Sequence, residues 1–257
     1  MVRQNATRAC PLLLLIPCLA VLVAAGPADA SKHLWPLAAI HFDEPAPETP
    51  TFKMTEDEFR NEQCALESRI TRAYHELLAS LPYEQGVLLN TAQSSWRDCF
   101  QKYDSALKER LDEPVKVFYG IEGEERKTNV HKDTILAVLE YRAQDLERWS
   151  QGCFGYLQPD GLEDTQMGLS LSRAMSSLDK AFGANIYIMD EVFRAPMQEA
   201  QDAWFACLRS NAGFVREATD NDEAAAIAEE LLQVQRMYRL TLLQKEGYVF
   251  FHRERED

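Results

Sequence analysis

Glycine and proline are scarce in this chain, 11 of each among 257 residues, which excludes collagen-like and linker-like sequences. What remains is an ordinary globular composition, 46% hydrophobic and 26% charged. Basic residues are also short: 27 Lys and Arg stand against 41 Asp and Glu, a net charge of −14. Sequence-independent binding to a phosphate backbone runs on Lys and Arg, so nucleic acid and anionic membrane surfaces are poor partners for such a chain. Any long-range steering favours a basic partner. The common catalytic signatures are missing as well: there is no GxSxG, GxxxxGK[ST], GxGxxG or HExxH, and His75-Glu76 lacks a second His four positions on. No CxxC, haem-attachment or zinc-spaced Cys/His set occurs. The five histidines are scattered: His33 and His41 in a linker, His75 on an exposed helix flank, His131 at the start of a third helix, and His252 in a charged tail. Asp220-Asn221-Asp222-Glu223 has no EF-hand spacing and reads as a helix N-cap with an acidic first turn. No catalytic residue, cofactor or metal is therefore assigned, and no enzyme is expected.

One long hydrophobic run is present, Pro11 to Ala25, too short to span a bilayer, which needs about 20 apolar residues. With Arg3 and Arg8 before it and Ala28-Asp29-Ala30 after it, residues 1–30 read as a cleaved signal peptide. An uncleaved anchor is the alternative, and lipidation at Cys18 is disfavoured by Pro17. Cleavage removes Arg3, Arg8 and Asp29, leaving 25 basic and 40 acidic residues, a net charge of −15. The expectation is a periplasmic or secreted protein with no membrane insertion of the mature chain. Residues 31–54 follow as a linker, with Pro36, Pro45, Pro47 and Pro50.

From Thr55 onward the apolar residues fall at helical intervals. Thr55 and Glu58 fit a capping box, and Phe59, Leu66, Ile70, Ala73, Leu77 and Leu81 form one stripe before Pro82. A second helix carries Leu88, Leu89, Ala92, Trp96, Cys99, Tyr103, Leu107 and Leu111, and stops at Pro114. A charged, Gly-containing loop over 112–130 leads to a third helix with Ile135, Val138, Leu139, Leu146 and Trp149. The pattern then repeats. Ala92-Gln93-x-x-Trp96-x-x-Cys99 returns as Ala200-Gln201-x-x-Trp204-x-x-Cys207, an offset of 108, which also matches Ile70 with Leu178, Ala73 with Ala181, Tyr74 with Phe182 and Leu81 with Met189. Arg142-x-x-x-Leu146 returns as Arg236-x-x-x-Leu240 at an offset of 94. Pro196 then implies a helix break near Arg194, parallel to the one at Pro82. The expected fold is all-α: two tandem three-helix units on antiparallel hairpins, 55–151 and 163–247, with a charged tail at 248–257. Trp96 and Trp204 read as core anchors, and Arg142 and Arg236 as ion-paired structural residues.

Asn61-Glu-Gln-Cys64, Tyr74-x-x-Leu77-Leu78-x-x-Leu81, Ala92-Gln93-x-x-Trp96-Arg97-Asp98-Cys99 and Leu139-x-x-Arg142-x-x-x-Leu146 together resemble the lysozyme-inhibitor LprI-type N-terminal domain. The resemblance covers 55–150 in a first copy and 165–247 in a second, divergent one. It departs from the family at Trp96, which is followed directly by Arg97-Asp98-Cys99, and at Phe205-Ala206 in the second copy. It implies an exported binding protein of the bacterial envelope and, in some members, inhibition of lysozyme, a basic partner suited to an acidic surface. An envelope scaffold or accessory subunit is the alternative. Four cysteines outlast the signal peptide, and an even number in an oxidising compartment suggests two disulfides, with buried thiols as the other reading. Cys64 lies 19 residues before Tyr83 and Cys99 lies 16 after it, at similar heights on an antiparallel hairpin. Of the three connectivities that four cysteines allow, Cys64–Cys99 with Cys153–Cys207 is the expected one, the second pair because the comparison with the family puts Ser172 where Cys64 has its counterpart.

Overall fold

The computed structural model describes residues 54–112, 120–154, 164–189 and 191–253. Six helices account for almost all of them: α1 (Glu56–Ser80), α2 (Tyr83–Leu111), α3 (Gly120–Ser150), α4 (Asp164–Ile188), α5 (Glu191–Ala218) and α6 (Glu223–Arg253). The protein is all-α, with no strand among the described residues. All six helices belong to one compact unit, 45–257. The signal peptide and most of the linker expected from the sequence lie outside the described residues.

Local signals set most of the helix ends. Thr55 caps α1 through a complete capping box: its hydroxyl oxygen accepts from the Glu58 amide at 3.2 Å, and the Glu58 carboxylate accepts from the Thr55 amide at 2.8 Å. Pro82 separates α1 from α2, since it cannot extend the helix before it. Asp220 and Asn221 take left-handed backbone angles (φ 56° and 66°) between α5 and α6. Asp222 Oδ1 then accepts from the Ala224 and Ala225 amides at 3.0 and 3.3 Å. That satisfies two of the four N–H groups a helix start leaves open.

Three stretches differ from the sequence expectation. The 112–130 loop is helical from Gly120 onward, so His131 lies within α3 and not at its start. Two glycines cost a helix only about 1 kcal/mol each. Val130 and Lys127 are buried, and Lys132 donates to the Met54 carbonyl at 3.1 Å. The break near Arg194 is instead at Met189, and Pro196 lies inside α5. Arg194 Nε donates to the Met189 carbonyl at 3.1 Å, closing the turn. The expected charged tail is helical through Arg253.

Packing follows the stripes but not the expected hairpins. Apart from their shared turn and a bond from the Tyr74 hydroxyl to Asn90 about two helical turns along, α1 and α2 have almost no contact. The most extensive interface is α2 against α5, followed by α4 with α6 and α1 with α3. α2 and α5 run antiparallel, as Gln85 reaches the Glu217 carbonyl and Ser95 meets Ser210. α1 and α3 run parallel, held by Arg69, which bonds Glu140 at 2.6 Å and Glu147 at 2.9 Å. Leu89, Leu139, Leu146, Leu178 and Trp149 are sealed from solvent between these layers. Each such side chain contributes about 1.5–3 kcal/mol by leaving water. Most residues matched at the 108 offset share their burial: Ile70 and Leu178, Ala73 and Ala181, Gln93 and Gln201, and Cys99 and Cys207 are all buried, whereas Leu81 and Trp96 are half-buried and their counterparts Met189 and Trp204 are buried.

The expected disulfides are not formed, and all four cysteines of the body carry thiols. Equal height on a hairpin brings two residues together only if its arms pack side by side. Here α2 turns its buried face to α5, so Cys99 is enclosed there while Cys64 stands exposed on α1.

Asp133 Oδ2, on α3, is buried with no hydrogen-bond partner, and burial pushes the carboxyl pKa up to about 6. A raised folded-state pKa means that the folded chain holds this proton more tightly than the unfolded one. Its contribution to stability is therefore present below about pH 4, the ordinary aspartate range, and is lost as pH rises through 6. Asp133→Asn should be more stable than the parent to urea at pH 7.5, with the gap closing at pH 4. An unchanged gap would place the carboxylate in water. Replacing Asp222 by Ala should cost about 1 kcal/mol in the same assay.

Candidate functional site

The Ala-Gln-x-x-Trp-x-x-Cys stretches lie near the middle of α2 and α5, where the two helices cross. Intervals of three and four keep Gln93, Trp96, Cys99 and Tyr103 on one face of α2, and Gln201, Trp204, Cys207 and Asn211 on one face of α5. α3 and α6 pass beside the crossing and add Tyr141, Arg142 and Asp145 from one, and Gln233, Arg236 and Met237 from the other. All of these side chains except Gln93 and Gln201 line a half-open cleft of about 50 Å³, mostly apolar, large enough for a few water molecules or the tip of an inserted side chain.

Arg142 forms the floor. It is 1% exposed, and its Nε and Nη2 donate to Gln93 Oε1 at 2.9 and 2.7 Å while Nη1 donates to Asn211 Oδ1 at 3.2 Å. Its guanidinium carbon lies 5.6 Å from the Trp96 ring centre and 5.1 Å from that of Trp149. Cation–π contacts of this kind gain strength when desolvated. Burial pulls the Arg142 pKa down, partly offset by the charges of Asp145 and Glu229. Trp96 also stacks on Phe100, with ring centres 5.4 Å apart and planes 13° from parallel, on the outer side of the cleft.

The wall toward α6 is ionic. Asp145 Oδ1 accepts from Arg236 Nη1 at 2.6 Å and from Arg148 Nη2 at 3.2 Å, while Oδ2 accepts from Gln233 Nε2 at 2.7 Å. Burial opposes ionisation of Asp145, but the charges of Arg236, Arg148 and Arg142 outweigh it and hold its pKa below the usual carboxylate range. Arg148 continues the chain to buried Glu229 at 2.6 Å, and Glu229 also accepts from Gln233 at 2.9 Å. Arg236 lies 4.7 Å from the centre of the Tyr141 ring. Two thiols complete the lining. Burial, helped by the neighbouring charge of Cys207, pushes Cys99 far up, and burial pushes Cys207 up to about 11, so neither is a ready nucleophile.

The chain finds no family model, no curated protein and no solved structure similar to it. The site therefore has to be read from its own geometry.

Trp96, Trp204, Arg142 and Arg236, singled out in sequence, all line this cleft, together with Cys99 and Cys207. Cys64 and Cys153 do not. Of the two arginines only Arg236 is ion-paired; Arg142 is held by amides, contrary to the expectation for both. The sequence reading missed Asn211, Asp145, Gln233 and Glu229. A signal existed for Asp145, a charged residue three positions after Arg142 and so on the same buried face. Among the described residues no group of three or more Cys, His, Asp or Glu is placed to hold a metal ion.

Removing one member of a buried ionic network leaves the others uncompensated, which costs about 3–5 kcal/mol. Asp145→Asn should lose that much in urea unfolding, and adding Arg236→Met should restore part of it. A loss below 1 kcal/mol would mean that the network is wet.

Proposed function

We propose that this chain is an exported, internally duplicated binding protein of the bacterial envelope that acts by holding a basic protein partner and not by catalysis. One observation carries the reading: the repeated residues of both copies, Trp96 with Arg142 and Trp204 with Arg236, meet in a single half-open cleft. The matched burial of residues 108 positions apart supports two three-helix units that have fused around it. Both oxygens of Asp145 are occupied, which suits a wall better than a proton carrier. The excess negative charge lies outside, on residues such as Glu62, Glu67, Glu76, Asp98 and Glu109, which are exposed. A basic surface would be steered to this exterior, while half-buried Trp96 and Phe100 offer an aromatic anchor at the rim. Lysozyme is the partner that the LprI-type resemblance names.

The test is titration of lysozyme with the chain from Ser31, at low and at moderate salt. Stoichiometric inhibition that weakens with salt is expected, as is a loss of about tenfold or more in affinity for Trp96→Ala with its helical content unchanged. No inhibition at micromolar protein would retire lysozyme and leave an envelope scaffold, whose partner a pull-down would have to identify.

A further inference from the structure

The charge inside the cleft is the reverse of the charge outside it. Arg142, Arg148 and Arg236 lie in one network with two carboxylates, Asp145 and Glu229, and both carboxylates are taken by Arg148 and Arg236. The positive charge left over is that of Arg142, which pairs with no carboxylate among the described residues. Its guanidinium carries five N–H groups. Three of them donate to Gln93 Oε1 and Asn211 Oδ1; the other two, one on each terminal nitrogen, have no acceptor among the described residues. Arg148 Nη1 is likewise buried without a partner, so the network is short of acceptors as well as of negative charge. Buried donors are rarely left unpaired, and spare N–H groups on a buried cation mark a place where an anion would be held.

We propose that the cleft binds a small carboxylate carried on a short apolar or aromatic stem, with the acid group seated on Arg142 and the stem held at the mouth by Trp96 and Phe100. A recess of about 50 Å³ takes a carboxylate and the carbon beside it but not a whole ring, so a ring stays at the half-open rim. There Trp96 and Phe100 are half-buried and already stacked, and they offer a further aromatic surface. Asp145 also lines the cleft, but its charge is spent: Oδ1 accepts from Arg236 and Arg148, and Oδ2 from Gln233. A cation entering the recess would meet Arg142 with nothing to offset it. A neutral apolar group would fill the space and leave the N–H groups as they are. Only an anion answers both the charge and the spare donors, and its hydrogen bonds to a guanidinium are roughly twice as strong as neutral ones. The acidic exterior thus attracts a basic surface while the recess selects an acid, and this inference does not depend on lysozyme being the partner.

The test is a calorimetric titration of the full chain at low salt with phenylacetate, beside its neutral counterpart phenylacetamide. One phenylacetate per chain should bind with a dissociation constant below about 1 mM, and phenylacetamide at least about tenfold more weakly. Tryptophan fluorescence should change with phenylacetate, because Trp96 and Trp204 line the cleft. No binding of phenylacetate, or equal binding of acid and amide, would overturn the proposal, and that comparison needs no variant. Arg142→Gln should abolish the preference for the acid. Since Arg142 fixes the register of three helices, Val138→Phe serves should that variant not fold. Val138 lines the cleft one turn before Arg142 on α3, so a larger side chain there fills the recess and leaves the Arg142 hydrogen bonds in place. It should weaken phenylacetate binding at least about tenfold with helical content unchanged. Undiminished binding by a helical Val138→Phe chain would place the acid elsewhere and overturn the proposal. These titrations contain no lysozyme, so their failure leaves the partner reading as it stands.

Discussion

A permanently charged guanidinium buried at the centre of the chain constrains everything around it. Removing an ion from water carries a penalty of several kcal/mol, and the protein must replace the lost hydration group by group. Arg142 is solvated by Gln93 from α2 and Asn211 from α5, with the rings of Trp96 and Trp149 beside its guanidinium. Those contacts reach three helices at once. A one-residue slip of α2 against α3 would withdraw Gln93, and a slip of α5 would withdraw Asn211; either would leave a buried cation short of acceptors. The apolar stripes could tolerate several registers, and Arg142 selects one of them.

The two arginines at matched positions have diverged in how they are satisfied. Arg142 relies on neutral amides, whereas Arg236 pairs with Asp145 and stacks on Tyr141. Asp145 thus serves the arginine of the second copy while lying one turn from that of the first. Arg148 and Glu229 extend the same network along the α3–α6 contact, so the core is held by complementary charge along one side and by aromatic and aliphatic packing along the other. In a chain with a net charge of −14, Arg148 and Arg236 are held by carboxylates, and Arg142 by amides and rings.

Much of this was legible in the sequence because it is local. The Thr55 capping box, the Pro82 break, the Asp222 cap and the buried stripes of α1 and α2 all depend on residues within a turn or two of one another. Periodicity states which face of a helix is buried, but not which helix covers it. For that reason α2 was expected on α1 and is found on α5, and the Cys64–Cys99 staple failed with it. Gly120 and Gly123 read as loop signals, yet tertiary contact by Val130, His131 and Lys132 outweighs a propensity cost of about 1 kcal/mol per glycine. In the site, Trp96, Trp204 and both arginines stood out because they repeat. Asn211, Gln233 and Glu229 are single polar residues on otherwise ordinary helices, and only the fold gives them partners.

The same constraint explains why the cleft persists. An apolar void of about 50 Å³ would cost about 1 kcal/mol at roughly 24 cal/mol per Å³, and a core free to relax would shrink it. Here the helices around it cannot close. α2, α3 and α5 are spaced by the Arg142 contacts, and α3 and α6 by Asp145, Arg236 and Gln233. Moving α2, α3 or α6 inward would compress hydrogen bonds already at 2.6–2.9 Å. Trp96 and Phe100 at the mouth are held against each other and cannot fold in as a lid without giving up their stacking. The buried charges therefore do two things with one arrangement: they fix the register of the bundle, and they hold open an aromatic-walled recess where its two repeated sequences meet.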